Sequence, residues 1–270
     1  MRGRVEGRLV AAGCVAADEE AEELIGAAPD RRTLEDWVAR RERGEPLAWI
    51  VGVAPFCGQL LVVERGVFVP RPQSEELARR GAELLRVTGR AADLCTGSGA
   101  IARHLVARVP TATVVGVDID RCAVACARRN GVTAVLGDLA GGLGSEAFDV
   151  VTAVAPYVPT SALGLLPADV RRYEPPRALD GGDDGLDLVR RVVWGAARVL
   201  RREGWLLLEV GGEQDRALAP VLEEAGFAAW VTWLDDEGSL RGLAARKQGA
   251  VRRTGRGRSR PRRPKAAPAD

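Results

Sequence analysis

Apolar positions in the first third of the chain recur at helical spacing. Asp18 stands at the head of a run through Glu19, Glu22, Leu24 and Ile25. Pro29-Asp30 opens a second run, with Leu34, Trp37 and Val38 on one face and an end near Gly44. From Phe56 to Pro70 the pattern shortens: Leu60, Leu61, Val62 and Val63, then Gly66, then Val67, Phe68 and Val69 predict a β-hairpin. Ser74 stands where it would cap a helix through Glu75, Leu77, Leu84 and Leu85. From about Arg90 short apolar stretches ending at Leu94, Val117, Leu136 and Val154 alternate with helical segments such as Ile101–Val109 and Cys122–Arg129. A long helix is expected after Gly185, then a strand at Trp205–Val210, a helix from Gln214 to Ala225, and strands near Ala228–Leu234 and Ser239–Ala245. Strands alternating with helices predict a doubly wound, largely parallel sheet, and the closing pair of strands predicts an antiparallel edge hairpin. The organisation expected is helical over residues 1–55, a hairpin linker over 56–72, an α/β domain over 73–246 and a tail over 247–270.

Composition narrows this little. With 46% hydrophobic residues in 270 there is enough for a core, yet no apolar run approaches membrane-spanning length. No signal peptide or anchor is evident, so a cytoplasmic location is expected. The five cysteines, Cys14, Cys57, Cys95, Cys122 and Cys126, form no Cys-x-x-Cys pair, which argues against a zinc site or a disulfide framework. Cys122 and Cys126 share a helical face and read as small buried hydrophobes. The single histidine, His104, reads as structural, which excludes multi-histidine metal sites; no metal is expected. Much of the net charge of +2 comes from the Arg- and Pro-rich tail, expected to be disordered in isolation and at most a weak electrostatic contact for RNA. No nucleic-acid or membrane partner is otherwise expected.

The chemistry concentrates in Asp93-Leu94-Cys95-Thr96-Gly97-Ser98-Gly99-Ala100-Ile101-Ala102, between a strand and a helix. Gly97 and Gly99 let backbone approach a ligand at a helix N-terminus. Gly97-x-Gly99-x-x-Ala102 with Asp118 also satisfies the dinucleotide fingerprint, so the loop alone indicates only a nucleotide-like ligand. Three features favour a sulfonium-bearing one. Asp93 would repel a pyrophosphate but attract an ammonium. Asp138, after Gly137, would accept from an adenine amino group. Val154-Ala155-Pro156-Tyr157 ends the fourth strand, where a methyl acceptor would lie.

Further stretches extend the picture: Gly44-Glu45-Pro46-Leu47-Ala48-Trp49-Ile50-Val51-Gly52, Phe56-Cys57-Gly58, Gly66-Val67-Phe68-Val69-Pro70-Arg71-Pro72-Gln73-Ser74-Glu75, and Tyr173-Glu174-Pro175 through Leu179-Asp180-Gly181-Gly182-Asp183-Asp184-Gly185-Leu186. With the loop, they resemble the protein N(5)-glutamine methyltransferases that act on peptide chain release factors, from about Gly13 to Arg246. Gly13 to Ala17 resembles a divergent actinobacterial-type branch. The resemblance implies a class I S-adenosylmethionine-dependent methyltransferase fold and a helical N-terminal domain that docks a protein substrate, a release factor above all. It places cofactor contacts on Asp93, Cys95, Thr96, Gly97, Ser98, Gly99, Asp118, Asp138 and Leu139, and the acceptor pocket on Val154, Ala155, Pro156 and Tyr157.

One position departs from the family. Its Asn-Pro-Pro-Tyr motif, or Asn-x-Pro-Tyr in the branch, has Val154 at the Asn position. In the family that Asn oxygen and the next backbone carbonyl, here of Ala155, hold the two N–H groups of the target amide. Valine accepts no hydrogen bond, and an unpaired buried N–H costs about 1–3 kcal/mol. The acceptor differs, a neighbour substitutes, or activity is weak. Small-molecule N-methylation and a fold that has lost its chemistry stay open on these residues, with a dehydrogenase further off. Arg71 and Glu75 are expected at the site's mouth or in a turn-stabilising ion pair. Glu174 and Asp180 are expected to order the covering loop. Glu209 faces the same carboxyl edge, either in the site or in a helix-capping network.

Overall fold

A computed structural model describes residues 1–249; the tail from 250 onward lies outside the described residues, and with it the expectation of disorder and weak RNA contact. Four helices come first: α1 (Arg2–Ala11), α2 (Ala17–Ala27), α3 (Arg31–Glu42) and α4 (Leu47–Val51). Their apolar stripes meet in a small core of Val5, Leu9, Ala21, Leu24, Leu34, Val38 and Ile50. Asp30 caps α3 as expected, its carboxylate accepting from the Thr33 N–H at 2.8 Å. Asp18 is no cap; it lies in the first turn of α2, where acidic side chains favour the helix dipole.

The hairpin falls elsewhere than expected. It pairs β1 (Val53–Phe56) with β2 (Gln59–Val62) and turns at Cys57-Gly58, with φ of 49° and 73°. Positive φ at both turn residues suits the right-handed twist of a tight hairpin. Val67–Val69 is no strand: Val67 and Phe68 run along the wall of a cavity described below. Ser74 precedes α5 (Glu75–Leu84) but its side chain does not cap it. That hydroxyl donates to Glu209 at 2.5 Å instead.

The remaining elements are β3 (Arg90–Leu94), α6 (Ala100–Arg108), β4 (Thr113–Asp118), α7 (Arg121–Arg129), β5 (Ala134–Leu136), β6 (Phe148–Ala153), α8 (Ala168–Tyr173), α9 (Asp187–Val199), β7 (Leu200–Glu209), α10 (Gln214–Glu224), β8 (Phe227–Leu234) and β9 (Leu240–Lys247). Seven strands form one sheet in the order β5-β4-β3-β6-β7-β9-β8. Strands β3 to β7 are parallel. The closing hairpin is present, and its antiparallel member β9 lies one strand in from the edge, between β7 and β8. Because β9 runs to Lys247, the sheet takes in the first residue assigned to the tail.

Alternate side chains of the central strands serve two cores. Ala92, Leu94, Val151, Ala153, Leu206 and Leu208 pack with Val192 of α9 and Leu218 of α10. On the other face Ala91, Val114, Val150 and Leu207 meet Leu77 of α5, Leu105 of α6 and Val124 of α7. Of the cysteine pair on α7, Cys126 is buried and Cys122 is exposed. The helical segment is tied to the sheet domain through Trp49, whose indole N–H donates to the Val67 carbonyl at 2.9 Å. Trp49 also meets Tyr173 edge to face at 6.4 Å.

Candidate active site

From β3 the chain winds to β4 and β5 on one side, while β6 and β7 lie on the other. The loops leaving β3 and β6 therefore part and open a crevice at the carboxyl edge, as expected at a topological switch point. A cavity of about 740 Å³ fills it. One cavity touches Asp93, Cys95, Thr96, Gly97, Ser98, Asp118, Asp138 and Leu139 on one side and Val154, Ala155, Pro156 and Tyr157 on the other.

Of the residues expected there, Gly99 alone does not line the cavity. At φ +81° it starts α6, and a Cβ there would come within 3.0 Å of the Ala127 and Val132 side chains. A glycine here therefore allows close packing of the loop on α7. Gly97 is the opposite case: φ is +56° and nothing lies within 4 Å of where a Cβ would stand. Cys95, also at positive φ (57°), completes the tight turn, and burial pushes its thiol pKa up.

The three acids differ in freedom. Asp93 is 1% exposed and accepts from the hydroxyls of Thr96 at 2.6 Å and Thr152 at 2.7 Å. Burial raises its carboxyl pKa from 3.8 to about 6. Asp118 accepts from the backbone N–H of Gly97 and of Asp120, both at 2.9 Å, so it shapes the glycine loop. Burial raises its pKa against those hydrogen bonds. Asp138 is an exposed rim residue paired with Arg191 at 2.6 Å. Beside Asp118, Ile119 lines the cavity and remains 64% exposed, an apolar shelf for a flat ring.

On the acceptor side, Val154 leaves the end of β6 and packs against the α5 face of the core. The Tyr157 hydroxyl donates to Glu209 at 2.8 Å, and the Gln214 amide donates to the Tyr157 carbonyl at 2.9 Å. Glu209 lines the cavity and makes no cap for α10. Arg71 lines it too, but its ion-pair partner is Glu174, not Glu75. Glu75 accepts from the Cys57 N–H at 2.7 Å and so anchors the β1–β2 turn. Asp180 accepts from Thr160 and from the Gly182 N–H, which orders the loop after β6. Leu166, Pro167, Asp169 and Val170 close the remaining side. The sequence pattern does not single out those residues or Ile119, and it places Phe68 in a strand; only the position of Ile119 directly after Asp118 carries a signal. His104 is buried on α6, as expected of a structural residue. Among the described residues no cluster of His, Cys, Asp or Glu is arranged to hold a metal ion, and no helix is long and apolar enough to cross a membrane.

The walls suit a sulfonium nucleoside better than a dinucleotide. Gly97 is open to a close backbone approach, Ile119 and Leu139 are apolar, and the buried carboxylate of Asp93 beside the glycine loop would repel a pyrophosphate. Comparison with known proteins agrees. A methyltransferase domain model matches residues 91–172. The release factor glutamine methyltransferase of Geobacter sulfurreducens is 39% identical over 218 residues, covering 77% of this chain and 76% of the relative. That of Pseudomonas aeruginosa is 40% identical over 216 residues, covering 77% and 78%. Among solved structures, the E. cuniculi Mtq2-Trm112 complex responsible for methylation of the eRF1 translation termination factor superposes with a TM-score of 0.52 at 23% identity, over 68% of this chain and 99% of that one, and supports the fold. With the seven-stranded sheet of an S-adenosylmethionine-dependent methyltransferase and relatives of this identity and coverage, the chain belongs to the release factor glutamine methyltransferase family.

Proposed function

We propose that the chain transfers a methyl group from S-adenosylmethionine to the side-chain amide nitrogen of a glutamine in a peptide chain release factor, in the cytoplasm. The observation that carries this reading is that a single cavity joins the Gly97–Asp118 side to the Val154–Tyr157 side. S-adenosylmethionine supplies an electrophilic methyl group on a positively charged sulfur. The protein's part is to hold the donor, orient the amide and exclude water.

Gly97 and Ser98 offer backbone to the amino-acid end of the donor, and Asp93 offers negative charge to its ammonium. Asp118 accepts from ribose hydroxyls with the lone pairs its backbone contacts leave free. Ile119 and Leu139 sandwich the adenine, and Asp138 meets its amino group after parting from Arg191. An amide nitrogen is a weak nucleophile because its lone pair is delocalised, so its two N–H groups need acceptors that turn that lone pair toward the methyl. The Ala155 carbonyl is one such acceptor. Pro156 stiffens the turn and Tyr157 packs beside the amide. The helical segment over residues 1–55, tied to the cavity wall through Trp49 and Val67, docks the protein substrate.

Val154 favours a second reading, in which the acceptor is a smaller N-nucleophile in a more apolar pocket. Incubation with a release factor and methyl-labelled donor separates the two. One methyl on a glutamine, located by peptide mass spectrometry, supports the first reading; label that never enters protein removes it.

A further inference from the structure

The acceptor side of the cavity is one hydrogen-bond acceptor short at Val154, and the neighbouring strand supplies one. β6 and β7 run parallel with Thr152 beside Leu207 and Ala153 beside Leu208. One step further sets Val154 beside Glu209. Leu208 packs into the same core as Ala153, and Leu207 into the opposite core with Val154. Alternation therefore turns Glu209 to the face that Val154 occupies, one strand spacing of about 5 Å away.

Glu209 is 4% exposed, yet it lines the cavity. The hydroxyls of Tyr157 and Ser74 each hold one of its oxygens, at 2.8 and 2.5 Å. Each carboxylate oxygen can accept more than one hydrogen bond, so the group is fixed in place with capacity to spare. A buried carboxylate is costly to hold, and its position at the reacting end of the cavity gives it a use.

We propose that Glu209 takes the place of the absent Asn: it accepts one N–H of the target glutamine amide while the Ala155 carbonyl accepts the other. This rests on the glutamine-methylating reading above. The amide nitrogen's lone pair forms the N–CH3 bond, the S–CH3 bonding pair stays on sulfur as a neutral thioether, and the nitrogen sheds one proton. Glu209, already bonded to that N–H, receives the proton and passes it to solvent after product leaves. A charged acceptor also offsets the positive charge that grows on nitrogen, which a neutral Asn oxygen does less well. Burial raises the Glu209 pKa, opposed by the hydroxyls of Ser74 and Tyr157 and by the Arg241 and Arg71 guanidinium groups.

The test is a rescue by exchange, measured with a release factor as acceptor. Glu209→Met, which keeps the bulk but offers no oxygen acceptor, lowers kcat about ten- to a hundredfold. Val154→Asn in that background restores at least tenfold, and in the unaltered chain it gains far less. Read as kcat at saturating donor, where the donor's ammonium holds Asp93 ionised, the unaltered chain loses activity as pH falls through the raised Glu209 pKa, and that acid limb vanishes in the double variant. Calorimetry with S-adenosylhomocysteine present shows weaker binding of a glutamine-bearing peptide to Glu209→Met. Full activity of Glu209→Met, or an equal gain from Val154→Asn in both backgrounds, overturns the inference. Should Glu209→Met not fold, an acid limb in kcat left unchanged by Val154→Asn alone overturns it. No transfer by the unaltered chain removes the proposed reaction and this inference with it; transfer indifferent to Glu209 removes the inference alone.

Discussion

Asp93→Asn should make the protein more stable and a poorer binder of its donor. Asp93 is fully buried, and its pKa rises from 3.8 to about 6 even with two hydroxyls bonded to it. A group that holds its proton more tightly in the folded state makes the fold weaker as pH climbs through that interval. At about 1.4 kcal/mol per tenfold in proton affinity, the ionised carboxylate costs the folded state about 3 kcal/mol above pH 6. Asparagine keeps the shape, and the Thr96 and Thr152 hydroxyls can each donate to its oxygen or accept from its nitrogen. Urea unfolding at pH 8 is therefore expected to show the variant about 1–3 kcal/mol more stable, with the gap closing toward pH 4 as Asp93 is neutralised. Calorimetry should show S-adenosylhomocysteine binding weakened at least about tenfold, since an ammonium loses its counter-charge. A variant that is less stable at pH 8, or a gap that is the same at pH 4 and pH 8, would refute the reasoning.

Other perturbations follow from the same geometry. Arg71→Ala strands the buried carboxylate of Glu174, 3% exposed, and should cost about 3–5 kcal/mol in urea unfolding; a loss under 1 kcal/mol means the pair is not what holds that loop. Gly99→Ala forces a Cβ within 3.0 Å of two side chains at positive φ and should lower stability by about 1–3 kcal/mol. Gly97→Ala meets open space, so its larger effect should fall on donor affinity in calorimetry, with a stability loss of about 1–2 kcal/mol from its φ alone. The reverse ranking of these two glycine variants would contradict the roles assigned to them. Trp49→Phe removes the hydrogen bond to Val67 and should raise KM for the protein substrate more than it changes kcat.

The sheet was legible because β3, β4, β6 and β7 are short apolar runs bounded by helices, and that pattern has few alternative packings. The glycine loop and its acids were legible because they follow a strand and open a helix. The pattern misplaces the hairpin because Gly66 looks like the turn residue, whereas the turn is made by Cys57-Gly58 with a cysteine at positive φ, a conformation composition does not announce. The place of Ser74 before α5 predicts a cap. Its hydroxyl goes instead to Glu209, 135 residues away, a tertiary contact that no local rule encodes. The same holds for the Asp138–Arg191 and Arg71–Glu174 pairs, which join segments far apart in sequence.

The account rests on a methyl donor lying across the carboxyl ends of β3 and β4 with its reactive end toward Val154–Tyr157. A crystal structure with S-adenosylhomocysteine tests this most directly. The expected result is adenine on Ile119, ribose on Asp118, and the sulfur facing the Ala155 carbonyl and Glu209. Ligand bound elsewhere, or this cavity left empty at saturating ligand, would contradict it.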